Sequence, residues 1–317
     1  MKLSKIIALA TDKTKFTRIE DFIFFARTYL EFTAGGLQAR IVCRKEEHYQ
    51  FWQYKVDGTH NFTRPINTHL MLDEKDTDKL VKVFPRILKD PRAFRDDATM
   101  RRLLRNCVYT IQQCIGATLD ALPASRSNTA RKLNGDLFER LILLSIREAG
   151  VECTGGTTQV PIEVDGEEYC SMSYQHDLII KNADDVRCIG SVKTSSKDRI
   201  DKIFIDKFLF NQLTGVAMPH VAIFLNDVQR SGKTPQLYKI SSTFLPGHFK
   251  GYTIKLNPLD GVFYCDLRPN MVSDPFLAAR IFPLDKFFCE DLWGFLATKS
   301  SVKVEIQEDK DARDLAE

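Results

Sequence analysis

The sequence predicts an α+β protein with an α/β-like core, a mixed sheet flanked by helices, preceded by a mainly helical amino-terminal region. Three observations lead there. Helical periodicity dominates much of the first 150 residues, short β-branched runs alternate with helical patterns after that, and the run from Asp177 to Val192 reads as a hairpin. At 317 residues and 44% hydrophobic content, the chain can bury a sizeable core and is neither disordered nor repetitive.

Taken in order, Thr17-Arg18-Ile19-Glu20 has the spacing of a capping box, and Ile19, Phe22, Ile23, Ala26, Tyr29 and Leu30 then share one helical stripe that ends near Gly35-Gly36. From Leu37 to Pro91 the periodicity weakens. His48 to Tyr54 is rich in aromatics, expected to pack rather than to stack on bases, and Asp57-Gly58 marks a turn. Residues 97–122 form the cleanest helix, a continuous apolar stripe whose Arg101, Arg102 and Arg105 are open to DNA phosphates or to water. Leu122 to Ser127 reads as the joint between a region 1–125, a candidate for DNA-backbone or dimer contacts, and a segment 126–300 that bears the chemistry. There a helix from Asn128 to Ala149, closed by Gly150, carries Glu139. Strands are expected at 159–164, in the hairpin, and at 221–225, 236–240 and 262–267, with a helix between Lys193 and Val221. An apolar helical segment over 275–297 and a mobile charged tail over 301–317 complete the chain.

Composition narrows the function. Residues 1–134 hold 24 Lys+Arg against 15 Asp+Glu, and residues 135–317 hold 21 against 27, so a front of +9 precedes a back of −6. A basic part joined to an acid-bearing part suits an enzyme that grips a polyanion. The eight cysteines include no Cys-x-x-Cys pair and read as free thiols of a reducing cytoplasm. The apolar run of MKLSKIIALA is too short for a signal peptide, and no stretch reaches membrane-spanning length, so a soluble cytoplasmic protein is expected. Ser231-Gly232-Lys233-Thr234 echoes a phosphate-binding loop, but Asp227 stands at the required first glycine and Pro235 obstructs the helix. Asn61-Phe62-Thr63 matches a glycosylation acceptor, which carries little weight without a secretory signal. The six histidines form no ligand pair at helical spacing, so His176, His220 and His248 read as structural.

The chemistry concentrates between His176 and Lys207. Asp177 opens a β-branched run, Asn182 to Asp185 form a turn, and Val186 to Val192 deliver Lys193. The hairpin thereby sets a carboxylate beside an ammonium, the pair that phosphodiester hydrolysis uses to hold a divalent metal and to support the attacking group.

Glu139 on a helix, Asp177 opening a strand and Lys193 ending the next one together resemble the PD-(D/E)xK nuclease superfamily. His176 stands where that motif has proline, and Ser191 where it has its second acid. In this departure the chain is similar to the branch of type II restriction endonucleases that reads sequences with CC and GG, whose second acid sits on the following helix. Asp206, thirteen positions after Lys193, has that place, and Lys197-Asp198-Arg199 matches the basic, acidic, arginine triplet of the branch. The resemblance covers about residues 130–225. It implies a restriction-endonuclease-like fold, Mg²⁺ held by Asp177, Asp206 and Glu139, and Lys193 positioning water. It further implies Lys197, Asp198 and Arg199 reading G·C pairs, double-stranded DNA as partner, a homodimer on a palindromic site, and a place in a restriction-modification system. Asp201 competes with Asp206, and five residues at about 100° each put the two on opposed helical faces. Three alternatives stay open: a repair or junction nuclease of the same fold, a DNA-binding protein with a decayed site, and, for the triplet, solvated residues beside a helix capped by Ser195.

Overall fold

The computed structural model describes residues 1–298 and 306–308, except Asp57, Asp184 and Asp198. The chain opens with α1 (Leu3–Ala10) and α2 (Ile19–Thr33). At the start of α2 the Asp21 carboxylate accepts from the amides of Thr17 (3.0 Å) and Arg18 (2.9 Å), so the capping acid is Asp21 and not Glu20. Arg18 is the N-cap residue, which moves the N3 position one residue on.

The aromatic stretch then builds an antiparallel sheet of β1 (Ala39–Val42), β2 (Tyr49–Val56), β3 (Thr59–Phe62) and β4 (Ile66–Asn67), with β2 pairing all three others. The amino-terminal region is therefore less purely helical than its periodicity suggested. Tyr49, Phe51, Trp52 and Tyr54 are buried, as the packing reading required. Beyond lie α3 (Phe84–Lys89), α4 (Ala98–Leu119) and α5 (Ser127–Glu148). Asp97 caps α4 by accepting from Thr99 and Met100, both at 3.0 Å.

The remaining elements are β5 (Glu152–Val164), β6 (Glu167–Asn182), β7 (Asp185–Ser195), α6 (Ile200–Thr214), β8 (His220–Asn226), β9 (Val228–Ser231), β10 (Lys239–Ser242), α7 (Pro246–Lys255), β11 (Gly261–Tyr264), β12 (Ile281–Pro283) and β13 (Ile306–Glu308). Seven of these strands form one mixed sheet in the order β12-β11-β8-β7-β6-β5-β13. The four from β12 to β7 run parallel, and the other three are antiparallel to their neighbours.

Three expectations change. The strand read at 236–240 begins only at Lys239, because Pro235–Leu237 form a turn of 3-10 helix. The segment 275–297 is not one helix: it contains β12, and Pro283 interrupts any continuous ladder of helical bonds. Within the tail over 301–317, Ile306–Glu308 pair with Gly156 to Thr158 of β5 and extend the sheet; residues 301–305 and 309–317 lie outside the described residues.

Every residue of β8 is buried, because a central parallel strand is covered on both faces. Val221, Ile223 and Leu225 join the large core made with α2, α4 and α5, while Ala222 and Phe224 pack with Ile203 and Phe204 of α6 and Phe249 of α7. The large core runs unbroken from the amino-terminal helices into the sheet, and the expected joint at 122–127 is a single turn, Ala124–Arg126, between two helices that pack on one another. All eight cysteines are free thiols, seven of them buried.

Candidate active site

The site lies where β6 and β7 part. Their ladder runs from the Asn182 and Asp185 pair to the Leu178 and Gly190 pair and stops there, while β7 continues along β8, with Lys193 opposite Phe224. On its other side β6 pairs with β5, and between the Thr154/Ile179 and Gly156/His176 pairs it carries one extra residue. Such a bulge swings a side chain out of the regular alternation. Asp177 sits in it. Its carboxylate reaches across the fork and accepts from the main-chain amide of Val192 at 2.7 Å, taking the place of the lost ladder bond.

Lys193 fills the fork. Its ammonium donates to the same Asp177 oxygen and, at 2.9 Å, to Glu139 Oε1 from the middle of α5. Burial alone would make Lys193 less basic, but the two carboxylates outweigh it and raise its pKa, so the ammonium stays charged at neutral pH. Glu139 is affected in the opposite sense. Burial and then the charge of Asp177 push its carboxyl up to about 7, and Lys193 offsets only part of this. Two carboxylates sharing one ammonium leave surplus negative charge and hard oxygen donors, a set that suits a divalent cation such as Mg²⁺.

α6 sends its two acids in different directions. The Asp206 carboxylate accepts from Lys202 one turn earlier, and after burial its charge raises the pKa of Tyr174 on β6. Asp201 faces α7, 3.7 Å from His248 Nδ1. Thus the structure gathers Asp177, Lys193 and Glu139 into one hydrogen-bonded cluster and holds Asp206 in a separate pair with Lys202. Among the described residues no three of His, Cys, Asp and Glu already stand close enough together to hold a metal.

Arg199 is the N-cap residue of α6 and no side chain caps the helix, so Ser195 is not its cap, while exposed Lys197 and Arg199 are as the solvated alternative expects. Ser195 Oγ instead accepts from the Lys197 amide at 3.2 Å, and Lys197 Nζ lies 3.4 Å from Gln229 Oε1 on β9. Lys197 and Arg199 are exposed at the same end of the sheet as Lys193; Asp198 lies outside the described residues.

No family model matches the sequence, and no curated protein matches it. Among solved structures, the type IIP restriction endonuclease Kpn2I superposes with a TM-score of 0.67 over 95% of this chain and 99% of its own, at 13% identity. The chain has the restriction-endonuclease fold. The restriction endonuclease PspGI, solved with substrate DNA, also aligns, with a TM-score of 0.36 over 62% of this chain and 79% of its own, at 11% identity.

Within this restriction-endonuclease fold, sequence reasoning missed two parts of the fork: the bulge that aims Asp177 and the Val192 amide that fixes it. Neither leaves a side-chain signature. It also missed Gln229 and Thr243, whose side chains approach Lys197 and the hydroxyls of Ser195 and Ser196 from β9 and the end of β10. The basic helix α4 is committed differently than expected, since Arg101 binds Asp285 and Glu290 and Arg105 lies 3.6 Å from Asp285. Of its three arginines, Arg102 is exposed. His176 and His220 are buried, and His176 Nε2 shares a 3.0 Å hydrogen bond with Thr158, a structural role. No helix among the described residues is long and apolar enough to cross a membrane.

Proposed function

We propose that this chain is a Mg²⁺-dependent type II restriction endonuclease that hydrolyses both strands of duplex DNA at a short site containing CC/GG steps. The observation that carries the reading is the Asp177, Lys193 and Glu139 cluster at the parting of β6 and β7. Lys193, kept charged between two carboxylates, orients the attacking water and offsets the charge that grows on the phosphate oxygens. Glu139, which accepts from the same ammonium at 2.9 Å, helps orient that water. Asp177, Glu139 and Asp206 are the oxygen ligands we assign to Mg²⁺, which when bound supplies Lewis-acid polarisation of the scissile phosphate. Asp206 would have to release Lys202 to join that set. Lys197 and Arg199 are matched to guanine O6 and N7, and Asp198 to cytosine N4, in the major groove. The enzyme acts as a homodimer in a restriction-modification system, since a palindromic site offers two equivalent half-sites to two equivalent subunits.

Digestion of a mapped plasmid with purified protein tests this directly. Discrete fragments in Mg²⁺ and none in EDTA are expected, and sequencing the ends gives the site. Cleavage confined to branched DNA would move the protein to the repair and junction nucleases, and sequence-specific binding without any cleavage would make it a binding protein with an inactive centre.

A further inference from the structure

Away from the fork, Arg44 and Lys45 in the turn after β1 stand beside Lys233 and Lys239, which flank the turn between β9 and β10. With Gly232 and Leu237 they line a notch of about 490 Å³. All four cations are exposed, and none has a carboxylate partner among the described residues. Of the two acids that follow Lys45, Glu46 is bound by both terminal nitrogens of Arg268 at 2.6 and 2.9 Å, and Glu47 is exposed and does not line the notch. The notch thus gathers four cations with no carboxylate among its lining residues.

Its walls are fixed. The Arg44 amide donates to the Tyr238 carbonyl at 3.1 Å, and the Tyr238 ring packs on Phe51 and Phe62, with centroids at 5.2 and 5.4 Å. Gly232 has φ +98°, and a Cβ there would fall 2.3 Å from the Leu237 carbonyl oxygen, so the turn closes this tightly only around glycine. Tyr238 is buried, and no aromatic ring lines the notch, which therefore lacks a platform for stacking unpaired bases.

The notch also lies at the right end of the sheet. β9 follows directly from β8, whose Asn226 is opposite Ser195, two residues past Lys193. Ser231, opposite Lys239, is five residues further on, at most about 17 Å of extended chain. Counted from Phe224, opposite Lys193, the seven residues to Ser231 reach at most about 24 Å, and base pairs rise about 3.4 Å along the duplex axis, so the notch lies within about seven steps.

We infer that the notch is a clamp for the phosphate backbone of duplex DNA, within about seven steps of the phosphate at Lys193 and outside the base-reading segment. This rests on DNA being the substrate, not on cleavage. The test compares the full chain with a variant carrying Arg44→Ala, Lys45→Ala, Lys233→Ala and Lys239→Ala, by fluorescence anisotropy in EDTA from 50 to 200 mM salt. On a long random duplex the slope of log K against log salt becomes shallower in the variant by about 3 to 4, near 0.9 for each lost phosphate contact. A short duplex that carries the site with two flanking pairs shows no difference between the proteins. Matching thermal melts establish folding, and if the fourfold variant melts early, Lys233→Gln with Lys239→Gln is read instead, with about half the change. An unchanged slope on the long duplex overturns the clamp, as does a change seen only with single strands or RNA. If the variant still cuts plasmid while the slope is unchanged, only the clamp fails; if the slope changes but the unmodified protein cuts nothing, only the nuclease reading fails.

Discussion

The Asp177 carboxylate accepts the main-chain amide of Val192 at 2.7 Å, at the point where β6 and β7 cease to pair. One side chain therefore both ends a ladder and faces the reactive fork. Asp177→Asn keeps an oxygen for the Val192 amide and removes the charge, so cleavage is expected to disappear while unfolding in urea stays close to that of the parent. Asp177→Ala leaves a buried amide without a partner and is expected to cost a further 1 to 3 kcal/mol or so in the same melts. Equal stability of the two variants would show that the amide finds another acceptor.

Lys193→Ala is expected to lower single-turnover cleavage by at least about 10²-fold while specific binding in EDTA changes only a few-fold, because a group acting mainly in the transition state adds little ground-state affinity. Unchanged cleavage would remove Lys193 from the mechanism.

The two acids of α6 have different partners, Asp206 pairing with Lys202 and Asp201 lying 3.7 Å from His248 Nδ1, and only Asp206 belongs to the proposed ligand set. Asp206→Ala is therefore expected to abolish cleavage at any Mg²⁺ concentration, and Asp201→Ala to retain it within a few-fold, measured as rate against Mg²⁺. The reverse result would exchange their roles.

Arg199 stands exposed just before α6. Arg199→Ala is expected to weaken specific binding by roughly 1 to 3 kcal/mol, the worth of a bidentate base contact, with random duplex nearly unaffected. Equal losses on both duplexes, measured by anisotropy, would place Arg199 on a phosphate.

Two buried imidazoles make the native state lose stability in acid, while the raised carboxyls of Glu139, at about 7, and Asp266, at about 6, act in the opposite sense over much of the same window. Burial, helped by the charge of Lys202, holds His176 down at about 4, and burial holds His220 well below its ordinary value. Unfolded, both would protonate near 6.5. Between about 6.5 and 4 the unfolded chain therefore binds more protons than the native one at these two sites, and the stability they contribute, fully present above 6.5, falls as pH drops through that window. At about 1.4 kcal/mol per unit, His176 alone accounts for on the order of 2 to 3 kcal/mol across it. Urea melts in metal-free buffer should show His176→Gln gaining stability relative to the parent as pH falls from about 6.5 to 4. A constant difference from the parent across that range would assign acid lability to other groups.

Much of this protein was legible in the sequence because the relevant signals are local. The stripe of α4, the glycine that closes α5 and the hairpin that delivers Lys193 each depend on residues within a few positions, and periodicity or turn chemistry reports them. The spacing of Asp201 and Asp206 likewise dictated their opposed directions on α6 before any contact was known. Tertiary structure decided what depends on pairing between distant segments. The aromatics from Tyr49 to Tyr54 became a strand because β1, β3 and β4 offered edges to pair with, and Ile306–Glu308 became a strand because β5 had an open one. The single-residue bulge at Asp177 falls where β7 ceases to pair with β6 while β5 continues along it, a junction of three segments that no window of neighbouring residues contains.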